Sequence, residues 1–116
     1  MSTTTDTLPE RIDAAIIGAG PAGLMAAEKL AAAGICAHVF DTMPTAGRKF
    51  LLAGKGGLNV THTEPLEQFR TRYGARTPQV ASWLQAFGPQ QVCEWSAGLG
   101  VPTMVGSSGR VFTHDM

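Results

Sequence analysis

The chain has 116 residues, about the length of one domain, and 44% of them are hydrophobic, which is enough for a buried core. Nine basic residues balance nine acidic ones, so no excess positive charge is available for nucleic acid or an anionic membrane. Its two cysteines, Cys36 and Cys93, form no CxxC pair and give no support for a disulfide framework, a zinc site or a dithiol redox motif. We expect both to be small buried hydrophobic residues, reduced as in a cytoplasmic protein.

The polar N-terminal residues 1–10 predict a disordered tail, followed by a folded domain over residues 11–116. The tail has no secretory signal pattern. Glu28 and Lys29 interrupt the long apolar stretch that could otherwise suggest a membrane span. We therefore expect a soluble cytoplasmic protein that binds neither nucleic acid nor membranes and contains no metal, with its oligomeric state left open.

Residues 14–41 contain the pattern typical of a dinucleotide-binding unit. The apolar run Ala14–Ile17 leads into GAGPAG at residues 18–23, and a small-residue helix pattern follows from about Ala22 to Ala33, with Gly34 as its stop. The second apolar run, Cys36–Phe40, ends at an acid. Strand, glycine turn, helix, strand and acid together predict a Rossmann-like α/β fold with parallel strands.

Each glycine of this turn has a mechanical role in nucleotide binding. Gly18 permits the tight turn that leaves the first strand, and Gly20 lets the backbone come close to a diphosphate. Gly23 allows the helix to pack closely against the strand. An isolated GxGxxG is often an ordinary loop, but here its structural context favours a bound dinucleotide.

The helix start and the acid complete the predicted site. Pro21 and Ala22 open the helix, whose unpaired backbone N–H groups and dipole attract a diphosphate. Asp41 lies 18 residues after Gly23, close to the spacing of a carboxylate that accepts ribose hydroxyls. Its charge would repel a 2′-phosphate. The motif therefore predicts an ADP-containing ligand and does not define the group that is attached to the ADP.

The glycine-rich residues 42–63 predict one helical turn, Phe50–Ala53, between two loops. Backbone N–H groups, short polar side chains and positive charge here suit phosphate, ribityl hydroxyls or the edge of a heterocycle. The residues that supply them are Arg48, Lys49, Lys55, Gly56, Gly57, Asn59 and Thr61. On the residues alone, a solvated surface loop is an equal alternative.

Three short helices and a β-hairpin are predicted after this loop. Thr77 is expected to cap the second helix, Gly88 to end it and Pro89 to open the third. Thr103–Val105 and Arg110–Phe112 flank a four-residue turn and predict the hairpin. The helical stripes that we expect to be core are Leu66, Phe69 and Tyr73, then Val80, Trp83, Leu84 and Phe87, then Val92, Trp95 and Leu99.

Three segments together resemble the BaiN/YhiN-like family of flavoproteins, which includes aminoacetone oxidase-like FAD-binding enzymes. They are GAGPAGL at residues 18–24, GRKFLLAGKGGLNVTHTEP at residues 47–65 and GSSGRVF at residues 106–112, so the resemblance covers roughly residues 12–116. It implies that the chain is the N-terminal part of a longer protein with an incomplete FAD-binding domain. The absence of a second predicted βαβ unit fits that expectation.

The resemblance implies FAD at the fingerprint, with the three turn glycines facing its diphosphate and Asp41 facing the adenosine ribose. The segment with Arg48, Lys49, Gly56, Gly57, Asn59 and Thr61 would approach the diphosphate, ribityl chain and flavin. Many members have a GGGRCNVTN-like loop where this chain has GKGGLNVTH at residues 54–62. Any role of that loop cysteine is therefore in doubt for this chain.

The leading hypothesis is an FAD-dependent oxidoreductase with NAD(P)H as reductant or a small organic substrate, and with its catalytic residues encoded after Met116. One alternative is an NAD-dependent dehydrogenase that uses the same fingerprint, and another is a dinucleotide-binding module without turnover. His62 could donate a proton beside a flavin, but a lone loop histidine is more often a hydrogen-bonding residue. We assign no role to His38 or His114.

Overall fold

The computed structural model describes residues 7–52 and 58–113. The chain divides into two compact units, residues 1–52 and residues 53–116. Each unit has a small sheet of its own, parallel in the first and antiparallel in the second. The α/β class and the parallel start of the fold, predicted from the fingerprint, are confirmed.

The first unit is a βαβ unit followed by one short helix. Its elements are β1 (Ala14–Ile17), α1 (Pro21–Ala32), β2 (Ala37–Phe40) and α2 (Arg48–Leu52). The parallel register runs from Ala14 opposite Ala37 to Ile17 opposite Phe40. Both strands consequently end at the same edge of the sheet, where the glycine turn begins.

Glycine is required at three positions of this unit. Gly18 has φ +107°, and its N–H donates to the carbonyl of Phe40 at 2.7 Å, which extends the parallel ladder by one bond. A Cβ on Gly23 would overlap the carbonyl oxygen of Gly18, so α1 packs against the turn only with glycine there. Gly34, with φ +74°, ends α1 in the left-handed conformation.

The second unit combines a three-stranded antiparallel sheet with short helices. Its strand order is β3-β5-β4, with β5 in the centre. The β4–β5 pair is the predicted hairpin, in register from Thr103 opposite Thr113 to Val105 opposite Val111. The elements are β3 (Asn59–His62), α3 (Leu66–Phe69), a 3₁₀ helix (Arg70–Arg76), α4 (Thr77–Ala86), α5 (Pro89–Gly98), β4 (Thr103–Val105) and β5 (Arg110–Thr113).

Strand β3 lies where a loop was predicted. Asn59, Thr61 and His62 pair with residues of β5, about 50 positions later in the chain, and such a distant partner leaves no local signal. Helix α2 begins at Arg48 instead of Phe50, while Ala53 lies outside the described residues.

The predicted helix over Leu66 to Tyr73 is also wrong in part. One α-helical turn passes into the 3₁₀ helix, which Gly74 interrupts with φ 55° and ψ −126°. Thr77 does not cap α4, because it lies inside the helix and Arg76 is the N-cap residue. Gly88 follows the C-cap residue Phe87 and is itself the N-cap of α5, where Gln91 Oε1 accepts its N–H at 2.9 Å.

Four of the apolar residues expected in the core are exposed, with Leu66 and Tyr73 less so than the other two. Trp83 is 68% exposed on α4, and Leu99 is 59% exposed just after α5. Cys36 is exposed too and precedes β2, so it is not the buried strand residue that was expected. Helical spacing shows which residues share a face but not whether another element covers that face.

We expect Gly23→Ala to destabilise the protein by about 1–3 kcal/mol or more, because its Cβ and the Gly18 carbonyl would compete for the same space. Urea or thermal unfolding measures the loss. Gly98→Ala is the matched control, since a Cβ at this α5 position meets no atom within 4 Å. Equal stability of the two variants would contradict the packing role of Gly23.

Candidate dinucleotide-binding site

A groove of about 310 Å³ lies at the carboxyl ends of the two parallel strands. Ile17 and Gly18 line it from the end of β1, and Phe40, Asp41 and Thr42 line it from the end of β2. In open α/β sheets, ligands bind outside the carboxyl ends of the strands. The groove is therefore where the fingerprint predicts the nucleotide.

The N-terminus of α1 opens beside this turn with the features of an anion site. Gly20 is the N-cap residue in extended conformation, and Pro21 occupies the first turn. Neither a capping side chain nor an acidic residue occupies this helix start in the described structure. A Cβ on Gly20 would meet no atom within 4 Å, so there is open space next to the backbone. These features fit a diphosphate.

Asp41 binds two backbone N–H groups. Its Oδ2 accepts from Ala19 in the glycine turn at 2.7 Å, and its Oδ1 accepts from Met43 in the following loop at 2.7 Å. These N–H donors, Ala19 first and Met43 second, hold the pKa of Asp41 below its ordinary value. The carboxylate is therefore charged at neutral pH, and each oxygen keeps a lone pair for a ribose hydroxyl.

The carbonyl of Ala19 is also bound, because Gly47 donates its N–H to that oxygen at 2.7 Å. Asp41 and Gly47 thus hold the Ala19 residue from both sides, and we call these two residues with Ala19 the Ala19 clamp. The sequence did not assign Gly47 to the site. A glycine directly before a short helix was the available signal, and its φ of +65° explains the residue type.

The predicted site residues of the first unit lie in the glycine turn or in segments that the Ala19 clamp connects to it. Arg48 and Lys49 follow Gly47 directly as the first residues of α2, and both are exposed. Their charges therefore lie directly after Gly47, whose backbone N–H binds the turn. The residues in this group are Gly18, Gly20, Pro21, Ala22, Gly23, Asp41, Arg48 and Lys49.

Asn59 and Thr61 belong to the second unit and lie on opposite faces of its sheet. An irregularity between them shifts the register, so Asn59 opposes Phe112 and Thr61 opposes Val111. Cross-strand partners share a face and successive residues alternate. Thr61 accordingly lines a cavity of about 440 Å³ together with Val111. Lys55, Gly56 and Gly57 lie outside the described residues.

Both ring nitrogens of His62 have hydrogen-bond partners. Nδ1 accepts the N–H of Glu64 at 3.0 Å, which assigns the ring proton to Nε2, and Nε2 then donates to the carbonyl of Ser108 at 3.1 Å. A Cβ on Gly109 would lie 2.8 Å from His62 Cε1, so the hairpin turn is fitted to this ring. The arrangement gives His62 a role in joining β3 to the hairpin.

Glu64 lines the cavity of about 440 Å³ that Thr61 and Val111 also line, and it is paired with Arg72. Arg72 Nε donates to Oε1 at 3.1 Å and its Nη2 donates to Oε2 at 2.8 Å. The hydrogen bonds from Arg72 lower the pKa of Glu64, and the carboxylate in turn raises the pKa of Arg72. The cavity wall thus contains a charge that is already paired.

No group of three or more His, Cys, Asp and Glu side chains is arranged to hold a metal ion in residues 7–52 and 58–113. Across the same residues, none of the helices combines the length and the apolar character needed to cross a membrane.

The Glu64–Arg72 pair makes the stability of the protein depend on pH. Since the pKa of Glu64 is lowered on folding, the pair stabilises fully above the ordinary value of 4.5, and this contribution is lost as pH falls through the folded value. The stability difference between the wild type and Arg72→Gln should therefore shrink on acidification, as measured by urea unfolding from pH 7 to pH 3. Arg70→Gln, which breaks a more exposed contact with Glu67, should cost less at neutral pH.

Comparison with known proteins supports the fold and the fingerprint. The model of the HI0933-like protein Rossmann domain matches residues 12–116. A ribosomal RNA dihydrouridine synthase of Haemophilus influenzae is 49% identical over 49 residues, which are 42% of this chain and 12% of that protein. The aligned stretch is thus a small part of the relative. The chain belongs to the HI0933-like family, and residues 12–116 are its Rossmann domain.

Proposed function

We propose that this chain binds the ADP part of FAD and that the protein is an FAD-dependent oxidoreductase. One observation supports this most directly: the glycine turn, with open space at Gly20, meets the uncapped start of α1 at the carboxyl edge of a parallel sheet. Backbone N–H groups and the helix dipole favour a diphosphate there. Arg48 and Lys49 would add positive charge beside it.

FAD is preferred to NAD because of the second glycine-rich segment. The fingerprint alone suits any ADP-containing cofactor, whereas the resemblance over residues 47–65 is to flavoproteins. Gly18, Gly20 and Gly23 would face the diphosphate and Asp41 the ribose, while Gly56, Gly57, Asn59 and Thr61 would approach the ribityl chain and flavin. When bound, FAD supplies hydride or electron transfer, and this chain would bind and orient it.

We further propose NAD(P)H as the reductant or a small organic molecule as the substrate, and a cytoplasmic location. Two free cysteines, one of them exposed, are compatible with a reducing compartment. The balanced charge of the chain offers no broad electrostatic attraction for nucleic acid or membranes.

A second candidate substrate is uridine in ribosomal RNA, because the name of the Haemophilus influenzae relative specifies dihydrouridine synthesis in that RNA. The matched stretch spans 12% of the relative. A short match across a Rossmann domain supports a shared cofactor more strongly than a shared substrate, since substrate specificity depends on residues outside the fingerprint.

The complete protein should purify with a yellow chromophore that is released on denaturation and identified as FAD by chromatography. Gly20→Val should lose most of this flavin, because the branched side chain would occupy the space next to the turn, whereas its Cβ meets no protein atom within 4 Å. Gly98→Val is the control for an added side chain in open space. Full flavin occupancy in Gly20→Val would contradict the site, and bound NAD without flavin would favour the dehydrogenase alternative.

Anaerobic addition of NADH or NADPH should bleach the flavin absorbance, and an acceptor should restore it. Reoxidation by a uridine-containing ribosomal RNA fragment, with dihydrouridine detected by mass spectrometry, would support the second candidate. Reoxidation by small organic acceptors alone would support the first. A bound flavin that no reductant bleaches would favour a binding module without turnover.

A further inference from the structure

We propose that Asp41 is a positioning residue for the diphosphate: through the N–H of Ala19 it holds the glycine turn in its binding conformation, independently of any contact with ribose. The inference rests on the proposed function, because it concerns how the same turn receives an ADP-containing ligand. It differs from the role that the fingerprint gives an acid at this position, which is directed at the ribose hydroxyls.

The carboxylate is already committed to the backbone. Both of its oxygens accept N–H groups at 2.7 Å, at the short end of the range for such bonds, and an ionised acceptor strengthens them. One of the two donors, Ala19, lies inside the GAGPAG turn, 22 residues away in sequence. Asp41 therefore connects the end of β2 to the turn after β1.

The opposite side of Ala19 is held by the same loop. Gly47 donates its N–H to the Ala19 carbonyl at 2.7 Å, and the residue between these bonds is only 6% exposed. Gly18, just before it, donates to Phe40 at 2.7 Å. The N–H of Gly18 and both backbone groups of Ala19 are thus hydrogen-bonded before Gly20, where the chain opens towards the proposed ligand.

A turn with three glycines needs such restraint to bind tightly. Glycine loses more conformational entropy than other residues when it is ordered, and a ligand that has to order the turn itself loses affinity by that amount. A carboxylate near a diphosphate would also repel it. The two backbone N–H groups that donate to the Asp41 carboxylate offset its negative charge. This explains how an acid can lie beside an anion site. The same donors lower the pKa of Asp41, so the clamp persists at neutral pH.

The test separates the turn from the ribose by varying both the protein and the ligand. Asp41→Asn in the complete, flavin-free protein is titrated with ADP and with 2′,3′-dideoxy-ADP, which lacks both ribose hydroxyls. Asparagine offers one acceptor oxygen, and its NH₂ group would face the other N–H donor. We expect about a tenfold loss of affinity for the dideoxy ligand. A loss below about twofold for that ligand, with weaker ADP binding, would overturn the inference in favour of ribose contact alone.

Asp13→Asn is the matched control. Asp13 also accepts a backbone N–H from the neighbouring strand region, that of Cys36 at 3.3 Å, but at the opposite end of the β1–β2 pair. It should bind both ligands as the wild type does. An equal loss in both asparagine variants would show general destabilisation and would overturn the positioning role.

A spectroscopic measurement distinguishes a displaced turn from a less stable protein. At saturating 2′,3′-dideoxy-ADP, the ³¹P resonances should shift in Asp41→Asn relative to the wild type and stay unchanged in Asp13→Asn. Identical ³¹P resonances in all three proteins would overturn the inference.

Gly47→Ala provides a second approach if Asp41→Asn does not fold. Its positive φ strains any side chain there, while the nearest atom to the added Cβ is a Leu24 methyl at 3.6 Å. Weakening the other side of the Ala19 clamp should lower affinity for both ligands by the same factor, and unchanged affinity would count against the clamp. If the wild type binds neither ADP nor FAD, the proposed function itself is wrong.

Discussion

The structure of the first unit depends on the hydrogen bonds at Ala19. Two parallel strands of four residues have few ladder bonds between them, and the Ala19 clamp adds contacts from the loop that follows β2. It lies at the edge where β1 ends, α1 begins and the groove opens. One small buried residue thereby couples the strand pairing to the position of the helix N-terminus.

The second unit has its own central element in β5. Val111 and Thr113 are buried there, and Thr113 exchanges hydrogen bonds with Leu58 at 2.9 and 3.1 Å. Its N–H donates to the Leu58 carbonyl, and its hydroxyl accepts the Leu58 N–H. These bonds fix the start of β3 directly after the glycine-rich segment. The segment predicted to approach the cofactor is thus followed by a strand whose beginning is hydrogen-bonded to β5.

The sequence predicted well where the backbone conformation depends on nearby residues. Gly18 and Gly34 take the positive φ values that their turns require, and Gly23 is demanded by the approach of α1 to the turn. Prediction from the sequence failed where a residue far away in the chain determines the local conformation. Strand β3 exists because β5 pairs with it, and the register shift that separates Asn59 from Thr61 has no sequence signature. The clamp function of Gly47 likewise depends on a carbonyl 28 positions earlier.

The exposed apolar surface indicates what the parallel pair lacks. Ile17 is 83% exposed at the end of β1, whereas parallel sheets are normally covered on both faces. Leu51 and Leu52 of α2 are 71% and 73% exposed. An incomplete domain accounts for such surface, since further strands and helices of a doubly wound sheet would bury it. The proposed diphosphate site depends less on that surface, because it would use backbone groups at the start of α1, next to the Ala19 clamp. On the proposed function, cofactor recognition would therefore be local to this segment, whereas recognition of a substrate would depend on residues that the fingerprint does not include.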